Sequence, residues 1–237
     1  MICAALITAG GSGVRMGADR PKQYLEVGGF PILARTIAAY DKHPLIDYIV
    51  VTVPQADESY CQTNILGKFR FNKVIRVTTG GVTRQESVHN GLELTRDSDW
   101  VAIHDGVRPF VSESIITDVI YGAIRIGGCI AALPVRETVK KKNDDFLETV
   151  PRENLWLART PQVFRNGLII EAHEDASLQN MDVTDDAALF ERTGRKVGIV
   201  EDTFHNIKIT SRDDMIMAEM IARCPDYMLE LRSAWSR

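Results

Sequence analysis

The sequence predicts an α/β protein, a mainly parallel sheet with helices on both faces. Apolar runs with the length and branching of buried strands alternate with helical periodicity from residue 2 to about 135, the pattern of successive β-α-β units. Three segments carrying glycine and charge each follow such a run: the turn after residue 8, Gly80 to Ser87, and His104 to Arg108. They fall at the carboxyl ends of the strands, where an open parallel sheet binds its ligand. A chain of 237 residues with no linker, internal repeat or low-complexity stretch reads as a single domain, 1–237, long enough to bury an ample core.

The elements follow in order. Ile2 to Ile7 is a first strand emptying into a glycine turn. Pro31 to Tyr40 places Ile32, Leu33, Ile37 and Tyr40 on one face of a helix, with Pro31 tolerated in its first turn. Ile46 to Val53 is a second strand, closed by Pro54, and a helix covers 57–67. Lys73 to Thr78 is a third, ending at Gly80-Gly81. Thr83 and Glu86 have the spacing of a capping box, so a helix begins there and turns Val88 and Leu92 inward. Trp100 to Ile103, a helix from Ser112 to Ile126, and a strand from Gly128 to Val135 complete the alternation.

Beyond it, two charged runs flank a polar tip at Asn143-Asp144, which predicts a protruding β-arm at about 136–152. A two-stranded ribbon is marginal alone, so it is expected to pack on a second subunit. The Lys140 to Lys142 run reads as a solvated edge that discourages unwanted pairing. Helices near 166–175, Thr184 to Arg192 and Ser211 to Ala222, and a strand near 197–200, complete the chain.

Composition excludes several classes. A net charge of -4 argues against a nucleic-acid binder, which would present a basic face. No apolar run reaches the roughly 18 residues of a membrane span. The N-terminus lacks the charged region a signal peptide carries, so the cytoplasm is expected. Cys3, Cys61, Cys129 and Cys224 show no metal-ligand spacing and read as free thiols.

The chemistry concentrates in the three post-strand segments. Ala9-Gly10-Gly11-Ser12-Gly13 is a turn whose backbone N–H groups suit a phosphate chain, with Arg15 and Lys22 as cations at its edge. It is no P-loop, because Lys22 lies between Pro21 and Gln23, and the dinucleotide fingerprint fails at Met16. Gly80, Arg84 and Ser87 surround a helix N-terminus, whose amides and partial positive charge favour an anion; Ser87 also suits plain capping. Asp105 stands at a strand tip, fitting either a divalent cation or a turn cap, with Arg108 three residues on. His104 reads as an orienting residue rather than a general base.

Gly11-x-Gly13-x-Arg15-Met16 with Pro21-Lys22 resembles the signature of nucleotidyltransferases, and the full motif set resembles the 2-C-methyl-D-erythritol 4-phosphate cytidylyltransferase family. The matching segments are Ala9 to Met16, Pro21 to Leu25, Gly80-Gly81-x-x-Arg84-x-x-Ser87, His104-Asp105-x-x-Arg108-Pro109, Pro134-Val135-x-x-Thr138, Arg152-x-x-Leu155-Trp156, Thr160-Pro161-Gln162, Thr184-Asp185 and Asn206 to Thr210. The resemblance implies a Rossmann-like nucleotide-diphospho-sugar-transferase fold, a homodimer joined by the arm, and sites completed by the neighbouring subunit.

It also implies roles. Arg15 and Lys22 would stabilise the transition state; Arg152 and Lys208 would position the acceptor phosphate. Ala9, Gly10, Gly11, Ser12, Gly13, Gly80, Arg84, Ser87 and Asp105 would hold CTP, with Mg2+ on Asp105, while Arg108, Thr138, Thr160 and Thr184 would line the acceptor pocket. From the residues alone, Arg152, Thr138 and Thr160 read as surface positions and Thr184 as part of an N-cap. Gly11-Ser12 and Gly106-Val107 depart from the family pattern and occur in ribitol 5-phosphate cytidylyltransferases, the alternative acceptor class. A non-catalytic nucleotide-binding protein of the same fold is the remote alternative; it would have no need of Arg15, Lys22 and Asp105 together.

Overall fold

The computed structural model describes residues 1–10 and 20–224. The chain runs through β1 (Cys3–Thr8), a small hairpin of β2 (Glu26–Val27) and β3 (Phe30–Pro31), α1 (Ile32–Asp41) and β4 (Tyr48–Val53). Short helical pieces α2 (Glu58–Tyr60) and α3 (Gly67–Phe69) then flank a π-helical stretch, Cys61–Leu66, before β5 (Val74–Thr79), α4 (Arg84–Leu92) and β6 (Trp100–Asp105). Next come α5 (Glu113–Ile126), β7 (Gly128–Pro134), the arm strands β8 (Val139–Asn143) and β9 (Phe146–Val150), and β10 (Trp156–Arg165). The chain closes with α6 (Asn166–Leu178), α7 (Asp186–Arg192), β11 (Gly198–Glu201) and α8 (Arg212–Ala222).

Seven strands form one sheet in the order β11-β7-β10-β6-β1-β4-β5. All its pairings are parallel except those of β10, which runs antiparallel to both β6 and β7. The alternation of side chains divides each central strand between two cores. Cys3, Ala5 and Ile7 of β1 pack with Leu33 and Ile37 of α1 and Ile116 of α5. Leu6, on the opposite face, packs with Val88 and Leu92 of α4 and Ile169 of α6. A third, smaller core joins Val27, Ile32, Val107, Phe110 and Ile209 to α8. The helices therefore cover both faces of the sheet, as the sequence pattern predicts.

Local signals set the helix ends. The Thr83 hydroxyl accepts the Glu86 N–H at 3.1 Å, and Ser112 caps α5 likewise. Gly127, at φ 105°, terminates α5 in the left-handed conformation that glycine adopts without strain. Ser211 and Asp214 make a complete capping box on α8. The box expected at Thr83 forms only by half, because the Glu86 carboxylate accepts the N–H of Val82 at 2.7 Å. Asp185, rather than Thr184, caps α7.

The sequence pattern does not reveal β10. Pro161 interrupts it, and proline lacks the N–H that a central strand donates to its neighbours. The structure absorbs the proline at a register shift between Ala158 and Gln162 against β7, while pairing to β6 begins only at Gln162. Past the irregularity the strand is core: Val163 and Phe164 are fully buried, and the Phe164 ring lies 5.0 Å from that of Phe190 on α7. Phe164→Ala should lower stability by about 3–5 kcal/mol, read as an earlier urea midpoint at unchanged slope.

Candidate active site

From β1 the chain moves outward to β4 and β5, then returns to place β6 on the other side of β1. This reversal opens a crevice at the carboxyl ends of β1 and β6, the ligand position of open α/β sheets. A cleft of about 370 Å3 lies there, lined by Thr8, Ala9, Gly10, Lys22, Ser87 and Lys208, together with Arg84 and Asp105.

Asp105, the last residue of β6, is the electrostatic centre. Its Oδ1 accepts from Arg84 Nε at 3.2 Å, and its Oδ2 lies 3.1 Å from Arg108 Nε and 3.0 Å from Lys208 Nζ. Burial alone would favour the neutral acid; the Arg84, Lys208 and Arg108 cations outweigh it and hold the carboxyl well below the usual carboxylate range. His104, fully buried beside it, is pushed down to about 4 chiefly by desolvation, so its ring is neutral near pH 7. The Nε2 of His104 donates to the Arg108 carbonyl at 3.1 Å, which steadies the turn carrying Asp105 and Arg108. That is an orienting role.

Two latches, one of backbone and one of side chains, bring Lys208 to this carboxylate. The Ile209 N–H donates to the Val107 carbonyl at 3.0 Å, and Ile209 is buried in the third core. Asn206 Nδ2 donates to the Thr160 carbonyl and to Asp202, while Arg108 Nη1 donates to the Asn206 carbonyl at 2.9 Å. Thr160 in turn accepts the Asp105 N–H on its hydroxyl at 3.1 Å.

The opposite wall is backbone packed on Ser87. Its hydroxyl accepts the Gly81 N–H at 3.0 Å and donates to the Thr83 carbonyl at 2.9 Å. A Cβ on Gly10 or Gly80 would come within 2.9 Å or 2.7 Å of that oxygen. Close approach, not positive φ, is what requires glycine at these two positions; neither adopts φ > 0. Gln23 Nε2 donates to the Ala9 carbonyl at 2.9 Å, fastening the 21–25 segment, and with it Lys22, to the end of β1.

Ala9, Gly10, Lys22, Gly80, Arg84, Ser87, Asp105, Arg108, Thr160 and Lys208 thus gather at or beneath one cleft. Arg108 and Thr160 are buried under it rather than open to it. Gly11, Ser12, Gly13 and Arg15 lie outside the described residues. Thr138, Arg152 and Thr184 are exposed and do not line the cleft of their own chain. Arg152, at the foot of the arm, donates to the Arg136 carbonyl.

Sequence reasoning misses Asp186 and His173. Asp186 is buried, accepts Arg84 Nη2 at 2.7 Å, and meets His173 Nε2 at 3.1 Å. The signal was the doublet Asp185-Asp186: one carboxylate caps α7, and the second has no local task.

Among the described residues no group of three or more His, Cys, Asp or Glu side chains could cage a metal ion. A single ionised carboxylate nevertheless suits Mg2+, which keeps waters and takes phosphate oxygens as most of its ligands. Asp105 Oδ1, with one donor bound, retains a lone pair for such a contact. The donor set fits.

A family model described as 2-C-methyl-D-erythritol 4-phosphate cytidylyltransferase matches residues 3–224. The chain belongs to this family. Among relatives, the 2-C-methyl-D-erythritol 4-phosphate cytidylyltransferase of Geobacter metallireducens is 45% identical, over 92% of this chain and 97% of that one. That of Desulforamulus reducens is 43% identical over 98% and 97%. The crystal structure of 4-diphosphocytidyl-2C-methyl-D-erythritol synthase from Anaerococcus prevotii superposes with a TM-score of 0.82 at 35% identity, covering 92% of this chain and 95% of that one. A Thermus thermophilus cytidylyltransferase does so at 0.79 and 32%, covering 94% and 100%.

The electrostatics of this cytidylyltransferase site give a pH signature. Burial would raise the Asp186 carboxyl, but Arg84 and His173 bring it down to about 2, below the roughly 3.9 of an unfolded aspartate. A depressed carboxyl stabilises above its unfolded value and loses that contribution as pH falls through its folded value. Wild type should therefore exceed Asp186→Asn in unfolding free energy by a margin that is constant above about pH 5 and shrinks by about 2 kcal/mol toward pH 2. Urea melts of both proteins across that range check it.

Proposed function

We propose that this cleft joins CTP and 2-C-methyl-D-erythritol 4-phosphate, giving the CDP-methylerythritol and pyrophosphate, a step of isoprenoid precursor biosynthesis. The carrying observation is Asp105, which gathers Arg84, Arg108 and Lys208 around one carboxylate beside the backbone of Ala9 and Gly10. Family membership supports the same substrate pair.

An oxygen of the acceptor phosphate attacks the α-phosphorus of CTP; the bond to the β-phosphoryl oxygen breaks, and its electron pair leaves with pyrophosphate. The nucleophile is already ionised near neutral pH, so no general base is called for, which agrees with a buried, neutral His104. The physical problem is to hold two anions together and to meet charge growing on the α-phosphoryl and leaving groups. Lys22 and Arg15 take that role at the nucleotide, with Ala9 to Gly13, Gly80, Arg84 and Ser87 holding CTP. Lys208 faces the acceptor phosphate, with Arg108 beneath it on the same carboxylate. Asp105 would hold Mg2+, whose positive charge would offset the negative charge of the phosphates there.

Arg152, Thr138 and the arm are assigned to a neighbouring subunit of a homodimer. The arm supports this reading: β8 and β9 pair with each other, and Phe146 and Leu147 are 80% and 68% exposed. We place the enzyme in the cytoplasm. No helix among the described residues is long and apolar enough to cross a membrane, and Cys3, Cys61 and Cys129 are buried free thiols.

Pyrophosphate release from CTP with Mg2+, assayed with each acceptor, tests the reaction. Methylerythritol phosphate should be turned over and ribitol 5-phosphate should not; the reverse preference would reassign the acceptor. Lys22→Ala should lower turnover by roughly 10²–10³-fold while leaving the melting temperature unchanged. Sedimentation of a variant lacking 139–150 should show a monomer.

A further inference from the structure

Arg84 divides one edge of its guanidinium between two carboxylates. Its Nε donates to Asp105 Oδ1 at 3.2 Å and its Nη2 to Asp186 Oδ2 at 2.7 Å. Asp186 has no exposed side-chain surface to speak of, at 1%, and His173, at 0%, holds its other oxygen at 3.1 Å. Neither carboxylate engages Nη1 of Arg84, and the side chain is 28% exposed at the cleft. The network thus runs from a buried histidine on α6, through the start of α7, to the carboxylate at the tip of β6.

A chain gains nothing from burying a carboxylate unless cations and donors replace its lost hydration. Here the partners are Arg84 and His173, and the geometric effect falls on Arg84. With Asp186 absent, the guanidinium is free to turn both N–H groups of that edge onto Asp105, the bidentate pairing that arginine favours with a carboxylate. Asp105 would then be neutralised from one side, and the remaining N–H groups would no longer face the cleft. Asp186 prevents this by competing for Nη2.

We propose that Asp186, held by His173, is a positioning residue of the transfer reaction: it fixes Arg84 so that its unspent N–H groups address the nucleotide. This rests on the assignment of the cleft as a CTP site. Neither residue touches substrate. Both act through Arg84, and that makes the idea testable by a double-mutant cycle.

Kinetics and calorimetric CTP binding are measured for the wild type, Asp186→Asn, Arg84→Ala and the double variant. Asp186→Asn should lower kcat/KM for CTP and weaken CTP binding about 10–100-fold, by analogy with the scale for outer-shell groups that orient metal ligands. In the Arg84→Ala background the same substitution should cost no more than about twofold, since uncoupled effects would instead add. Equal losses in both backgrounds would mean a purely structural role and overturn the proposal. Should Asp186→Asn not fold, His173→Leu removes the supporting donor and should weaken CTP use about 3–10-fold, with His173→Gln, which keeps a donor, near wild type. A folded His173→Leu protein with wild-type kcat/KM for CTP would also overturn it. If the wild type binds CTP but releases no pyrophosphate, the proposed reaction fails alone, and the cycle is decided on CTP dissociation constants. If the wild type does not bind CTP, both readings fall.

Discussion

One buried carboxylate organises this end of the molecule. Asp105 closes β6 and meets cations from three separate parts of the chain, at 84, 108 and 208. A lone ionised aspartate at 5% exposure would be expensive, and so would a cluster of cations without a counter-charge. Each cation offsets part of the cost of burying the carboxylate, and the carboxylate offsets part of theirs. The consequence for chemistry is that positive charge stands ready, at fixed distances, before any anion arrives.

The fold supplies the rigidity this requires. The parallel pairing of β1 with β6 runs to Thr8 and Asp105, so the end of β1 and the acidic tip lie side by side. The 206–210 run, which has no regular secondary structure, is instead held by Asn206, by the Ile209–Val107 bond and by the third core. The long side chain of Lys208 is therefore mounted on a short, well-tied backbone. Thr160 ties β10 to the Asp105 amide, so the antiparallel strand in the middle of the sheet also serves the site.

What could be read from the sequence divides along physical lines. Strands built from β-branched runs and helices with a clear apolar face were legible because a single local period carries them, and so were the clustered glycines and charges after β1, β5 and β6. β10 was not, since a proline and two arginines disguise a strand whose pairing is decided by distant partners, β6 and β7. The hairpin of β2 and β3 escaped because two-residue strands leave no pattern. In the cleft, Lys22 and Asp105 were singled out from their own chemistry, while Lys208 was singled out only by the resemblance. Those whose meaning depends on a partner far along the chain were not: Asp186 needs Arg84, 102 residues away, before its burial makes sense. Glu86 shows the same limit at short range, since its spacing to Thr83 fits a capping box while its carboxylate in fact takes the Val82 N–H.

The cation cluster also bears on how anionic substrates are admitted. The chain carries a formal charge of -4, yet among the described residues Lys22, Arg84, Arg108 and Lys208 gather at or beneath the cleft with Asp105 and Asp186 as their carboxylate partners there. A local excess of this kind draws anions inward even when the whole molecule is acidic. It also sets a competition on one side, because a phosphate oxygen that takes Lys208 must win it from Asp105. Oδ2 is shared by Arg108 and Lys208, so it can release one and keep the other, and Lys208, at 38% exposure, is the side chain with room to move. Arg108 is buried and bound to the Asn206 carbonyl, so it stays. The carboxylate thus pairs with one exposed and one buried cation, and the difference in mobility between the two follows from which of them is buried.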